Sequence, residues 1–363
     1  MRSAIQKVAT GPEYSKDLSQ DEALAAMQYI LSDQMDPVQA AVFFIALRMK
    51  RETDDENKGV LKAIMDTSRI VEADVDELVD VAAPYDGHSR GLPVCAFIPA
   101  VLAALDIPAV CHGLEAVGPK YGITNRKVLR AAGITTDLSP EQAASRIADS
   151  QAGWAYIDQQ AYAPKLHDLI ALRSRIIKRQ VLTTVEVLVG PIRAKRKTHL
   201  LTGYVHKAYP PIYAELARFA GFDSAMIVRG VEGGVIPSLQ QPAKVWGYHD
   251  KGEEAASEYN PVDFGIQQST RAVPLPKDLP PPDQSLDQIA IDFDVDAGAE
   301  AAASAGIDAL QGKTGPARDS LVYSAAIVLN HLGKADTVQA AADAVRQVLD
   351  SGKALAHFNA LKA

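Results

Sequence analysis

The chain has 363 residues, 47% hydrophobic and 23% charged, with a formal net charge of -8. That length supports a large buried core in one domain or two. The acidic balance excludes a protein that coats nucleic acid with its whole surface, but it allows a local basic face.

Taken in order, residues 1–17 are polar and read as extended. Ser19 with Glu22 makes a capping box, and Ala23, Leu24, Met27, Ile30 and Leu31 follow at helical spacing. Asp36-Pro37 opens a second helix with Val38, Ala41, Val42, Ile45 and Leu47. Thr53 with Glu56 caps a third, carrying Val60, Leu61, Ile64 and Met65. Their apolar faces read as core, and Phe43 with Phe44 leaves apolar surface for a subunit contact.

From Val75 the pattern is α/β. A short apolar run ends in the turn Pro84-Tyr85-Asp86-Gly87-His88-Ser89-Arg90-Gly91, a helical pattern covers 92–105, and Ala109-Val110-Cys111 leads to His112-Gly113. Strand, loop, helix, strand is the order in which α/β proteins place ligands at the carboxyl ends of parallel strands. A loop that cradles phosphate needs several glycines to bring N–H groups to the anion. This one has Gly87 alone before Ser89, among bulky Pro84, Tyr85 and His88.

A helix ends at Gly133, 140–147 is helical, and Trp154-Ala155-Tyr156-Ile157 reads as a buried strand. Residues 166–188 read as one long helix, broken by Gly190-Pro191. Leu200, Leu201 and Val205 mark a strand, 213–220 a helix and 225–228 another strand. Residues 274–282 form a Pro-rich connector, and two or three Ala-rich helices finish the chain. The two cysteines, Cys95 and Cys111, make no disulfide framework or zinc spacing, which points to a reducing cytoplasm. The N-terminus lacks a signal pattern, and the apolar run 40–47 is too short to span a bilayer, so no membrane contact is expected.

Positive charge is concentrated at Arg173, Arg175, Lys178 and Arg179 on the long helix, then at Arg193, Lys195, Arg196 and Lys197, with His199, His206 and Lys207 beyond. Residues four apart share a helix face, where like charges repel unless an anion joins them. In an acidic chain this predicts a phosphate-rich ligand, against the plainer reading of a solvated face with scattered acidic partners.

By this point the chain resembles the anthranilate phosphoribosyltransferase family, glycosyltransferase family 3. Lys16-Asp17-Leu18-Ser19-Gln20-Asp21-Glu22-Ala23 and Ala46-Leu47-Arg48-Met49-Lys50-Arg51-Glu52-Thr53 look like its first helices. Pro261-Val262-Asp263-Phe264-Gly265 looks like its P-E-D-F-G segment. Gly315-Pro316-Ala317-Arg318-Asp319, then Asp350-Ser351-Gly352-Lys353-Ala354, looks like its C-terminal pattern. The resemblance implies a small N-terminal α-helical domain, 1–72 with 165–190. It also implies a larger α/β domain with a mainly parallel sheet, 73–164 with 191–363, and a homodimer through the helical domain.

The catalytic motifs depart from the family. Ala83-Pro84-Tyr85-Asp86-Gly87 stands for its G-T-G-G-D loop, and Cys111-His112-Gly113-Leu114 for its K-H-G-N. Val231-Glu232-Gly233-Gly234 stands for the acidic pair that holds magnesium, leaving Glu232 as one weak metal ligand. Lys120, Gly122 and Thr124 resemble part of a second phosphate loop, and Arg173 the arginine that faces the aromatic acid. These departures look like the YbiB-like branch, which includes nucleic-acid-binding dimers.

The expected ligand-contacting set is therefore Asp86, Gly87, His88, Ser89, Arg90, His112, Gly113, Lys120, Gly122, Thr124 and Arg173. No catalytic residue is assigned: His112 could serve as a general base, but a lone His after a strand is more often structural, and Arg90 could replace lost backbone contacts by a bidentate grip on phosphate. The two expected functions are a protein without anthranilate chemistry that binds nucleic acid through the basic helix, and a pentosyl- or phosphoribosyltransferase with an altered acceptor. Only the second would need Mg2+ and a phosphorylated small molecule.

Overall fold

The computed structural model describes residues 1–11, 13–282 and 291–362. The chain begins with α1 (Arg2–Val8), α2 (Gln20–Ile30), α3 (Pro37–Lys50) and α4 (Asp54–Asp66). The Ser19 and Thr53 capping boxes and the Asp36 N-cap stand where the sequence places them. The expectation of an extended 1–17 is wrong: Ala4 and Val8, four apart, bury one face of α1 against the bundle. Phe43, Phe44 and Met27 are also fully buried, so they supply core and not subunit surface.

The α/β part runs β1 (Val71–Glu72), β2 (Glu77–Ala82), α5 (Ile98–Ala104), β3 (Ala109–Gly113), α6 (Asn125–Ala131), α7 (Pro140–Ala148) and β4 (Trp154–Asp158). Four short helices follow: α8 (Gln159–Tyr162), α9 (Pro164–His167), α10 (Ile170–Ile176) and α11 (Leu182–Val185). Then come β5 (Ile192–Arg193), β6 (Lys197–Gly203), α12 (Tyr209–Ala220), β7 (Ser224–Val228), β8 (Ala243–Tyr248) and β9 (Ala255–Tyr259). The chain closes with α13 (Val295–Leu310), α14 (Pro316–His331), α15 (Val338–Asp350) and α16 (Lys353–Asn359), a larger helical end than the sequence suggests.

The main sheet has seven strands in the order β4-β3-β2-β6-β7-β8-β9. β4 through β7 pair in parallel, and β8 and β9 are antiparallel additions at the edge. Alternation along each strand feeds two cores. On β2, Val79 and Val81 face the core shared with α5 and the C-terminal helices, whereas Leu78 and Ala82 face the core shared with α7, α12 and the N-terminal bundle. A small helical domain therefore sits on a larger α/β domain, and the carboxyl ends of β2 and β6 open between them.

The expected long helix over 166–188 is interrupted. Ile177 takes the left-handed conformation at φ 66, so α10 stops there and the chain restarts at α11. A β-branched residue in that region is strained. No glycine or proline at 177 announces the break.

Candidate functional site

A cleft of about 210 Å³ lies at the carboxyl ends of β2 and β6. The α/β side supplies Pro84 to Asp86, Thr202 to His206, Tyr209, Tyr213 and the Glu232–Gly233 turn. The helical side supplies Arg48 and, from the segment after Ile177, Arg179, Thr183, Thr184 and Val187. This is the crevice beyond the strand ends where open α/β sheets take ligands. Tyr204, Tyr209 and Arg48 belong to it without having been singled out in the sequence.

The 86–90 loop sits at the position expected for a phosphate cradle, but its donors are already occupied. The Glu232 carboxylate accepts from Arg90 N–H at 2.8 Å, Ser89 N–H at 3.0 Å and the Ser89 hydroxyl at 3.1 Å. Lys120 Nζ stands 3.7 Å from Glu232 and 3.5 Å from Asp86, and donates to the Gly87 carbonyl at 2.5 Å. Burial opposes ionisation of Glu232, but the Lys120 ammonium and the N–H groups of Ser89 and Arg90 overcome it and hold the carboxyl below its ordinary range. Burial, then the Lys120 ammonium, pushes His88 down to about 4, so the imidazole is neutral at pH 7.

The loop is laced to the strand of chain around Gly122. His88 and Ile123 exchange backbone hydrogen bonds, and Gly122 N–H donates to Asp86 O at 2.8 Å. A Cβ on Gly122 would lie 2.5 Å from His88 O, which explains the glycine as close approach of backbones. Thr124 caps α6 and donates to the Glu115 carbonyl. Gly122 and Thr124, expected to contact ligand, thus each have a structural role as well.

Of the two readings of His112, general base or structural, its surroundings fit the structural one. Its ring is buried between Asp80 and Tyr85, at the end of β3 with Gly113. Asp80 Oδ1, 2.7 Å from Nε2, can only accept, so Nε2 carries the proton and Nδ1 accepts from the Tyr85 hydroxyl. Tyr162 in turn bonds Tyr85 at 2.6 Å. Burial raises both phenols well above their ordinary range. The chain Asp80–His112–Tyr85–Tyr162 is a closed buried network behind the cleft wall, with no face of His112 open to a ligand.

The basic stretch divides in two. Arg173, expected to meet a phosphate or nucleic-acid ligand or to face an aromatic acid, is instead fully buried in a bidentate pair with Glu186 at 2.6 and 2.7 Å. Arg193 is also inside, over the Phe222 ring at 4.1 Å and donating to the carbonyls of Val189 and Ala220. Lys195 pairs with Asp74, Arg196 lies 3.7 Å from Asp76, and Lys197 pairs with Asp250 at 2.8 Å. Arg179 turns into the cleft and binds Asp86 at 2.7 Å. The solvated-face reading therefore holds for Lys195, Arg196 and Lys197, and the single basic helix does not exist.

A different cationic surface takes its place. Arg48, Arg90, Arg175, Lys178, Lys207 and Arg229 are exposed, and among the described residues none lies within ion-pair distance of a carboxylate. Arg48 lines the cleft, Lys207 follows the lining residue His206, and Arg175 and Lys178 precede Arg179. Arg90 adjoins the Ser89–Glu232 contact, and the Arg229 charge acts on the Tyr204 phenol. Arg48 thus lies in the cleft wall, and the other five adjoin its lining residues in sequence or in charge.

In this arrangement the carboxylates of the site are engaged by the chain's own donors and cations. Both oxygens of Glu232 accept N–H groups, and both oxygens of Asp86 face cations. Among the described residues no cluster of three or more His, Cys, Asp or Glu could hold a metal ion. No helix there is long and apolar enough to cross a membrane.

Comparison with known proteins agrees with this architecture. Residues 2–68 match the helical bundle domain, and residues 92–273 the a/b domain, of the glycosyl transferase family. An uncharacterized protein of Aquifex aeolicus is 26% identical over 77% of this chain and 80% of its own. An anthranilate phosphoribosyltransferase of Rhodopseudomonas palustris is 28% identical over 98% of this chain and 96% of its own. The crystal structure of anthranilate phosphoribosyltransferase from Thermus thermophilus superposes with a TM-score of 0.74 at 20% identity, covering 99% of this chain and 98% of that one. The Saccharomyces cerevisiae enzyme in complex with PRPP and Mg gives 0.75 at 16% identity, covering 99% and 96%.

Proposed function

The chain belongs to the glycosyl transferase family that joins a helical bundle to an α/β domain, and we propose that it binds a phosphate-rich ligand, nucleic acid above all, at the cationic mouth of its cleft. The observation that carries this reading is the exposed, unpaired set Arg48, which lines the cleft, with Arg90, Arg175, Lys178, Lys207 and Arg229 near its lining residues, on a chain of net charge -8. Unpaired like charges held near one another cost stability unless a counter-anion joins them. The reading includes no formation of phosphoribosyl anthranilate, because Ala83-Pro84-Tyr85-Asp86-Gly87 stands where the family has its glycine-rich loop, and Glu232 alone where it has an acidic pair.

The test is a salt titration of single-stranded oligonucleotide binding, with anthranilate turnover as a second readout. Each phosphate neutralised adds roughly −0.7 to the slope of log K against log salt. Replacing Arg175 and Lys178 by alanine is expected to make the slope shallower by about 1.4, equally for all sequences. An unchanged slope, no binding at low salt, or measurable phosphoribosyl anthranilate would each count against the reading. If no oligonucleotide binds, the Tyr204–Tyr209–Tyr213 wall and the hydroxyls of Thr183, Thr184 and Thr202 favour the second reading, transfer of a pentosyl group to a small acceptor in the cleft.

The same family architecture supports a homodimer through α3. Val38, Val42, Ile45 and Met49, spaced 4, 3 and 4, form one outward face; Val38 and Met49 are 70% and 79% exposed. Light scattering at micromolar concentration should give a dimer mass for the wild type and a monomer for Val42→Asp. A wild-type monomer defeats the assignment.

A further inference from the structure

Ordinarily a short run of backbone N–H groups with a lysine beside it attracts an anion from solution. Here the anion is part of the chain. We infer that the Glu232 carboxylate is a built-in ligand of the 86–90 loop that competes with phosphate, and that the 230–234 turn carries it away when a phosphoryl group binds. The inference rests on the reading of the cleft mouth as a phosphate site and names how that site is closed.

The geometry favours competition over joint occupancy. Glu232 uses the N–H groups of both Ser89 and Arg90, the Ser89 hydroxyl and the approach of Lys120, so these donors serve one anion at a time. A phosphoryl group arriving beside an undisplaced Glu232 would also meet Asp86, leaving two carboxylates against Lys120 and Arg179. With Glu232 gone, it would meet Lys120, Arg90 and the freed N–H groups instead.

The turn is built to move. Residues 230–234 read Gly-Val-Glu-Gly-Gly, and Glu232 itself sits at φ 57, beside Gly233 at φ 82. A glutamate in the left-handed region is strained. The Glu232 contacts to the loop hold the strained turn, and release of the contacts would relieve it. A carboxylate is a good mimic here because it presents two oxygens to parallel N–H donors, as a phosphate does.

The probe is inorganic pyrophosphate, followed by calorimetry. Glu232→Gln preserves volume but sets an amide NH2 against an N–H donor, which weakens the internal ligand. Pyrophosphate is expected to bind Glu232→Gln about tenfold more tightly than wild type. Adding Ser89→Ala to Glu232→Gln should remove part of that gain. Hydrogen exchange on the wild-type protein gives a second measure that needs no variant: saturating pyrophosphate should speed exchange at the 230–234 amides while the 89–90 amides stay protected. Equal affinity of wild type and Glu232→Gln, or pyrophosphate binding with 230–234 unchanged, would overturn the inference. Oligonucleotide binding that fails while Glu232→Gln gains pyrophosphate affinity would sink the nucleic-acid reading and leave the competition standing.

Discussion

Arg173→Ala is expected to lower the unfolding free energy by about 3–5 kcal/mol, the usual cost of leaving one member of a buried ion pair alone. Arg173 and Glu186 are each only 1% exposed. Removing the guanidinium strands Glu186 with the Gln159 amide at 3.1 Å as its remaining partner. The double variant Arg173→Met with Glu186→Leu separates charge from volume. It should recover most of the loss, because a buried pair replaced by apolar side chains of similar size is often near neutral. Urea unfolding of the wild type and both variants decides it. A single variant within about 1 kcal/mol of wild type would show that Glu186 finds another partner and that the pair is not structural. The result also bears on function: Arg173→Ala should affect oligonucleotide binding only as far as it unfolds the protein.

Acid should destabilise the fold earlier than an ordinary carboxylate count suggests. At the amino ends of β6 and β7, away from the cleft, His199 and His331 share the Ser224 hydroxyl, at 2.7 and 3.2 Å, and His249 stacks on His331 at 4.1 Å between ring centroids. Burial, followed by the neighbouring His249 and His199, pushes His331 down to about 3, and burial lowers His199 as well. In the unfolded chain these imidazoles titrate near pH 6.5. Their folded values are depressed, so the unfolded state binds more protons, and the stability is fully present above about pH 6.5 and lost as pH falls towards the folded values. Each such group contributes about 1.4 kcal/mol per pH unit inside that window. Between pH 6.5 and 5, His331 alone accounts for about 2 kcal/mol. Replacing it by glutamine should flatten the acid limb of stability against pH by that amount. A parallel acid limb in wild type and His331→Gln would mean that His331 is already charged in the folded protein.

Local chemistry made much of the fold legible. The capping boxes at Ser19 and Thr53 and the Asp36-Pro37 start each fix a helix end within a few residues of chain. The buried strands Trp154–Asp158 and Ser224–Val228 declare themselves as short apolar runs. What stayed hidden depends on partners far along the chain. The 3.6-residue pattern over 166–188 continues on paper straight through Ile177, and only tertiary packing turns that residue left-handed. That turn sends Arg173 inward to Glu186 and Arg179 across to Asp86, a contact 93 residues away in sequence. A count of basic residues therefore saw one charged face where packing makes one buried pair, one cleft pair and two free cations. Asp80, fully buried on β2, gave no sign of being His112's partner, because strand neighbours are set by sheet order and not by spacing. Glu232 was recognisable as a loop carboxylate, but its role against Ser89 and Arg90 requires the two loops to meet.

The uneven charge at the cleft mouth acts before any contact forms. On the proposed reading, a polyanion would be repelled by most of this acidic surface and drawn towards Arg48, Arg175, Lys178, Lys207 and Arg229. Encounters are thereby oriented, and the association rate becomes a property of the far field as well as of the docked geometry. At about 0.15 M ionic strength the field reaches roughly 8 Å, so the preference for one face is gained in the last layers of water. Dilution of salt lengthens that reach and speeds capture, while the escape rate, set by close contacts, changes less.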